Sequence, residues 1–352
     1  MCRAFAPGIP GKAQGRRVSR LPARLGFAVK VLGQHGFKSN DSRRWQSSPH
    51  LRVSIEYLHA IFNYLEKSGI RMYRMSSDVA PYATHPDLPQ FHRQIAESRS
   101  DLAELGRRAN QIGLRLSFHP SQFIVMNAPN ETLRRQSMWD LTSQAEILDL
   151  MNLGAEAVLV IHVGGTYDDK SAAMNRWVAC YMDLPEPARR RLVLENDDIR
   201  FSAADVLSIH DRTGVPLVFD VQHHQCLNPE CLPWRPTLER FLRTWPRGVR
   251  PKIHYSSPRT QMQEVVRANR KTGRKERVLH PPRWTAHADY AHPFDFIRFA
   301  LETKDLEFDI MLEAKAKDLA LRRLRQDIAC YAPELVERFA ADSTNVTWSC
   351  NL

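Results

Sequence analysis

The sequence predicts an α/β protein, a single (β/α)8 TIM barrel with a basic N-terminal extension and a long basic loop after its seventh strand. Three observations carry this. Eight short apolar or β-branched runs cross the 352 residues, each followed by a helix-like stretch, as repeated βα units around a parallel sheet require. Six of the eight finish on a residue able to hold a divalent cation: R-L-S-F-His119, V-L-V-I-His162, L-V-L-Glu195, P-L-V-F-Asp220, P-K-I-His254 and D-I-M-L-Glu313. An open doubly wound sheet brings ligands only to its switch point, whereas a barrel gathers every strand end at one mouth.

Taken in order, residues 1–22 are rich in Gly, Pro, Arg and Ala and read as a disordered basic tail. The barrel is expected over 23–342, with 343–352 as a C-terminal tail. Strands are expected at 24–30, 71–76, 115–119, 157–163, 191–196, 216–221, 251–256 and 308–313. Helices are expected between them at 52–67, 92–112, 132–153, 171–183, 202–212, 236–245, 293–304 and 317–340. Gly69, Gly113 and Gly154 end the first three helices, and Asn130-Glu131-Thr132 supplies N-cap chemistry to the third. Roughly 36 residues separate the seventh strand from its helix, far more than a usual βα loop. That segment is rooted on the catalytic face and carries Trp284, His287, Asp289 and Tyr290, so it is expected to contact whatever binds there.

Net charge is +11, unevenly spread. Residues 1–52 hold eleven Lys/Arg against Asp41 alone, and Arg259 to Arg283 hold eight against Glu264 and Glu276. The remainder is mildly acidic, a layout suited to a polyanion wrapped around a carboxylate-rich site. Six scattered cysteines without C-x-x-C argue against a disulfide framework or a zinc ribbon and fit a reducing cytoplasm. No apolar run reaches the ~18 residues that span a bilayer, and no h-region follows the basic start, so neither a membrane segment nor a signal peptide is expected.

Imidazole and carboxylate together suit Zn, Mn, Fe or Co, and two or three ions bridged by Glu or Asp can clamp both the attacking and the leaving oxygen of a phosphodiester. His223, in Asp220-Val-Gln-His223, and His287, in His287-Ala-Asp289, are candidates to complete a third position. A lone histidine at a strand end is ordinarily a satisfied or surface residue, and acids there often cap helices; six such ends together are not. Lys252 lies two residues before His254 on one strand, so both side chains point into the barrel. A buried lysine pairs with a carboxylate or gives up its charge, and a neutral amine is open to carbamate formation.

These residues resemble the UV damage endonucleases, relatives of endonuclease IV among the xylose-isomerase-like barrels. The matching stretches run in order from residue 24 to 318: L-G-F, Y-R-M-S-S-D-V-A-P-Y-A-T-His85-P, S-F-His119-P-S-Gln122, V-I-His162-V-G-G, L-E-N-D, F-D-V-Q-His223-H, K-I-His254-Y-S-S, His287-A-D-Y and M-L-Glu313-A-K-A-K-D. The resemblance implies ATP-independent incision of DNA immediately 5′ of a lesion, leaving a 3′-hydroxyl and a 5′-phosphate. It implies that His119, His162, Glu195, Asp220, His223, His254, His287 and Glu313 hold two or three divalent ions, usually Mn2+, with Zn2+, Co2+ or Mg2+ as other candidates. Lys252, Glu195 and His85 fall on catalytic positions, Lys252 on the lysine that the family carboxylates. Gln122 and Phe123 fall on the pair that enters the duplex opposite the damage.

Three positions depart from the family pattern: Phe27 and Phe123 stand where tyrosines are usual, and Val31 stands near an asparagine. Phe123 still stacks on bases, whereas Phe27 and Val31 bring no polar group towards the damaged nucleotides. Arg270, Lys271, Arg274 and Lys275 of the long loop complete the DNA-binding candidates. The expected substrate is damaged double-stranded DNA, taken by a monomer without a nucleotide cofactor, in the cytoplasm or beside the chromosome. A sugar isomerase or epimerase, or an abasic-site endonuclease, on the same barrel is the alternative; a sugar enzyme gives no reason for the two basic segments.

Overall fold

The computed structural model describes residues 22–269 and 272–340, so nearly all of the expected tail at 1–22 and all of that at 343–352 lie outside the described residues. Eight parallel strands circle the axis: β1 (Leu25–Ala28), β2 (Met72–Arg74), β3 (Arg115–Phe118), β4 (Val158–Ile161), β5 (Leu192–Glu195), β6 (Leu217–Val218), β7 (Lys252–Tyr255) and β12 (Asp309–Leu312). Runs such as Val158-Leu159-Val160-Ile161 are buried throughout, because one face fills the axis while helices cover the other. Neighbours follow the order β6-β5-β4-β3-β2-β1-β12-β7. The circle closes between β6 and β7 through a parallel bridge of Asp220 with His254, and the His254 N–H donates to the Phe219 carbonyl at 3.0 Å.

The helices are α1 (Leu51–Lys67), α2 (Gln94–Glu97), α3 (Arg99–Gln111), α4 (Glu131–Leu150), α5 (Lys170–Asp183), α6 (Glu186–Arg189), α7 (Ala203–Thr213), α8 (Val221–Cys226), α9 (Trp234–Arg243), α10 (Pro293–Glu302), α11 (Lys317–Tyr331) and α12 (Val336–Phe339). Local chemistry sets their starts. Asn130 Oδ1 accepts from the Leu133 N–H at 3.0 Å to open α4, and a Ser202–Asp205 capping box opens α7.

Three expectations change. The helix expected over 92–112 is two pieces meeting at Ser98, and the one expected over 317–340 stops at Tyr331. Pro333 follows two residues later and cannot continue it. The 36-residue excursion is ordered: β8 (Pro258–Arg259) pairs antiparallel with β11 (Arg283–His287), and β9 (Gln263–Ala268) with β10 (Lys275–His280), as a hairpin whose first strand is wholly exposed.

At the end of the barrel opposite the mouth, Arg115 Nη1 donates to Asp309 Oδ2 at 2.8 Å with both side chains buried, and the Arg24 N–H donates to Asp309 Oδ1 at 2.9 Å. This charged plug floors the axis.

Candidate metal centre

Glu195 sits at the centre of the mouth. It ends β5, is fully buried, and is ringed by imidazoles from three other strand ends and from helix α8. His254 Nδ1 lies 2.8 Å from its Oε1 and His119 Nε2 3.2 Å from its Oε2, with His223 Nδ1 at 3.6 Å and His162 Nε2 at 3.7 Å. Glu313, one residue past β12, approaches His254 Nδ1 at 3.2 Å and His287 Nε2 at 3.5 Å, and ion-pairs with Arg74 from β2. The histidine rings pass the site from hand to hand, with centroids 5.3 Å apart for His119–His162, 5.6 Å for His162–His223 and 6.1 Å for His223–His287.

Asp220 does two jobs. It N-caps the six-residue helix α8, accepting from the His223 N–H at 2.7 Å, and its own N–H donates to Asn196 Oδ1 at 2.9 Å. Asn196, next to Glu195, also presents its carbonyl to His223 Nδ1 at 2.9 Å, which orients that ring. Beyond His162 the chain turns at Gly164 with φ +114°, where a Cβ would meet Asn127 Oδ1 at 2.5 Å, so only glycine fits this turn.

Ligand atoms fall into three groups, each within 4.8 Å: His119–His162–Glu195, His119–His254–Glu313, and Glu195–Asp220–His223. Glu195 and His119 each serve two groups, the sharing that bridged ions need. Buried polar atoms here lack any protein partner: Asp220 Oδ2, His254 Nε2, His162 Nδ1, His287 Nδ1 and Lys252 Nζ. So many orphaned donors and acceptors in one small volume would be costly without a ligand, and this imidazole–carboxylate set fits divalent cations.

The electrostatics agree. Burial alone would raise Glu195, yet the surrounding histidines hold its carboxyl well below the usual range. Glu313 is held low likewise, by Arg74 and His254 against the effect of burial. Burial, reinforced by Glu195 and Glu313, pushes Asp220 up to about 8. His223 rises to about 9 because Asp220, Glu195 and Glu313 outweigh its desolvation. Burial lowers His119, His254 and His287. Lys252 is fully buried beneath His254, and desolvation, with Arg115 and Arg74 adding repulsion, brings its amine well below a normal lysine.

All eight expected ligands and Lys252 therefore converge. His85 does not join them: it is exposed, its Nδ1 accepts from the Asp87 N–H at 3.2 Å, and its ring packs edge-on to Tyr82. Gln122 and Phe123 stand exposed on the turn after β3, Phe123 by 75%. Phe27 is a correction. It is fully buried, 5.4 Å from the Tyr73 ring in the core, and Val31 is buried too, so neither reaches a nucleotide. An inward position on a short central strand made this outcome inevitable for Phe27. Arg274 and Lys275 are exposed at the start of β10, while Arg270 and Lys271 lie outside the described residues. Arg74 and Asn196 gained no role from the sequence; their only signal was their place beside ligand-bearing strand ends.

Comparison with known proteins agrees. A model of the family described as UV-endonuclease UvdE matches residues 46–341. A UV DNA damage endonuclease of Bacillus velezensis is 33% identical over 271 residues, covering 76% of this chain and 78% of that one. A UV-damage endonuclease of Neurospora crassa is 37% identical over 210 residues, 55% of this chain and 31% of that longer one. The crystal structure of SacUVDE superposes with a TM-score of 0.71 at 29% identity, over 90% of this chain and 99% of that one. Endonuclease IV from Thermus thermophilus shares the fold alone, with a TM-score of 0.51 at 13% identity over 87% of this chain and 99% of that one. The family match over residues 46–341 and these likenesses place the chain in the UV-endonuclease UvdE family.

Proposed function

We propose that this protein is a metal-dependent endonuclease that cuts damaged duplex DNA immediately 5′ of UV photoproducts and other distorting lesions, leaving a 3′-hydroxyl and a 5′-phosphate. The observation that carries the reading is the overlap of three ligand groups on Glu195 and His119. That geometry suits two or three divalent ions, Mn2+ first, with Zn2+, Co2+ and Mg2+ as alternatives. When bound, such ions supply an activated water and charge neutralisation at the phosphorus.

The chain's own residues do the rest. Glu195 keeps its negative charge in a buried site, where it would attract divalent cations more strongly than an exposed carboxylate. Asn196 and Asp220 fix the orientation of His223. Arg74 neutralises and steers Glu313. Lys252, whose amine burial holds well below a normal lysine and whose Nζ has no hydrogen-bond partner, is the amine we assign to carbamate formation: its neutral form adds to CO2 with release of one proton and becomes an anion. Gln122 and the exposed Phe123 are assigned to probing the duplex, with Phe123 stacking on a base. The basic hairpin supports DNA over a small polyol as the substrate, since its exposed strands place Arg267, Arg274, Lys275 and Arg277 in solvent beside the mouth. Among the described residues no helix is long and apolar enough to cross a membrane. We assign a monomer that needs no nucleotide cofactor.

The test is incubation of Mn2+-loaded protein with end-labelled duplexes carrying one cyclobutane dimer, one 6-4 product or one abasic site. Incision 5′ of both photoproducts with a ligatable 5′-phosphate is expected; cutting confined to the abasic duplex would install the abasic-site alternative instead.

A further inference from the structure

The long excursion after β7 raises a ribbon of two strands, β9 and β10, which no third strand joins among the described residues. Its stalk is fixed to the metal centre. β11 carries His287, and Gln222 of α8, next to His223, donates from Nε2 to the Trp284 carbonyl at 2.7 Å. Gln222 is itself buried and accepts from the Ser256 hydroxyl. The six residues of β9 span about 20 Å at ~3.3 Å each, so the ribbon reaches about six base pairs' length from its root.

Register sorts the ribbon's side chains onto two faces. Val265 and Val278 pair on one, where Val278 and His280 are half-buried. The other bears Glu264, Val266 and Ala268 opposite Leu279, Arg277 and Lys275, all of them exposed. Val266 is 58% and Leu279 61% exposed, diagonal neighbours held out in solvent on a cationic ribbon. Residues 263–280 carry six Lys/Arg against Glu264 and Glu276. Arg277 ion-pairs with Glu264 at 3.1 Å, an exposed contact that contributes little and exchanges readily for a phosphate.

Phosphate binding alone accounts for the cations and leaves the two aliphatic side chains without a purpose. A groove accounts for both. The major groove of duplex DNA is about 12 Å wide and admits a two-stranded ribbon. Its rims offer phosphates to Arg and Lys, and its floor offers thymine methyl groups to aliphatic side chains. We propose that the Val266–Leu279 face of the ribbon enters the major groove of the substrate, about half a helical turn from the incision site. The proposal rests on the damage-endonuclease reading and deepens it, by giving the enzyme a hold on undamaged flanking duplex.

The test uses full-length, Mn2+-loaded protein and a duplex carrying one cyclobutane dimer. In a second duplex, cytosines about six base pairs to either side of the incision site are replaced by glucosylated 5-hydroxymethylcytosine, which fills the major groove and spares the phosphates. Affinity is read by fluorescence anisotropy for wild type and for Val266→Ser combined with Leu279→Ser. Wild type is expected to lose about tenfold on the glucosylated duplex. The double variant is expected to lose about tenfold on the plain duplex and to ignore glucosylation. It should keep the wild-type salt dependence, because no charge is removed. A wild type indifferent to glucosylation, or a variant as sensitive to it as wild type, would confine the ribbon to phosphates and overturn the proposal. Unchanged affinity of the variant on the plain duplex would overturn it too and leave the face to a protein partner. If wild type binds dimer-containing and undamaged duplex equally, the damage reading fails, whereas a loss on glucosylation that the variant lacks still credits the ribbon.

Discussion

Replacing Glu195 with Gln is the sharpest probe of the metal centre. The change keeps volume and removes one buried charge. Glu195 faces His254 at 2.8 Å and His119 at 3.2 Å, two charge-assisted contacts that become neutral ones in the variant. Each such bond is worth about 1.5–3 kcal/mol against about 0.5–1.5 for a neutral one, so the metal-free variant loses roughly 2 kcal/mol of stability. That leaves a typical domain folded. The larger effect is on cations, because two of the three ligand groups lose their shared anion. Even residues behind the ligands alter metal affinity 10–100-fold, so a direct bridging carboxylate should cost at least about 100-fold per ion, near 2.7 kcal/mol. Incision should fall by about three decades, near 4 kcal/mol of barrier, while lesion affinity stays within a few fold. Bound metal is read by elemental analysis after gel filtration, nicking by denaturing gel, and binding by anisotropy. A variant with full metal content and wild-type nicking would refute the reasoning.

Loading the site should release protons: burial and neighbouring charge push Asp220 up to about 8 and His223 up to about 9, so this pair retains proton in metal-free protein at pH 7 that a cation, needing a carboxylate and a neutral ring, must displace. Mn2+ affinity should therefore rise from pH 6.5 to 9, with acid released into weakly buffered solution; titration calorimetry showing a flat profile would contradict it. Changing Arg270, Lys271, Arg274 and Lys275 together to Gln should weaken DNA binding across sequences and flatten the dependence of log K on log salt by about 0.9 for each phosphate no longer neutralised. Unchanged affinity at physiological salt would make the hairpin a bystander. Phe123→Ala should cost roughly 5- to 100-fold in lesion affinity, the worth of about 1–3 kcal/mol of stacking, with Phe123→Tyr close to wild type; equal losses in both would point to loop packing instead.

Much of the candidate metal centre was legible because parallel strands end at one face, so six of the side chains that gather there could be read from single residues closing apolar runs. His223 followed from Asp220, three residues earlier, although the one-turn helix that joins them gave no periodicity to detect. Arg74 and Asn196 stayed hidden because their roles consist of contacts to residues 239 and 24 positions away. The hairpin was unreadable as structure, since Arg, Lys and Glu along Gln263–His280 mask the alternation that marks strands. Phe27 shows the opposite case: the resemblance set it near the damaged nucleotides, while its place on β1 puts it in the core.

Where the cylinder closes between β6 and β7, β6 contributes only two residues, and Asp220 and His254 act as the stitch. The two residues that fasten this join therefore also carry candidate ligand side chains, so a substitution that shifts either backbone disturbs the closure and the mouth together.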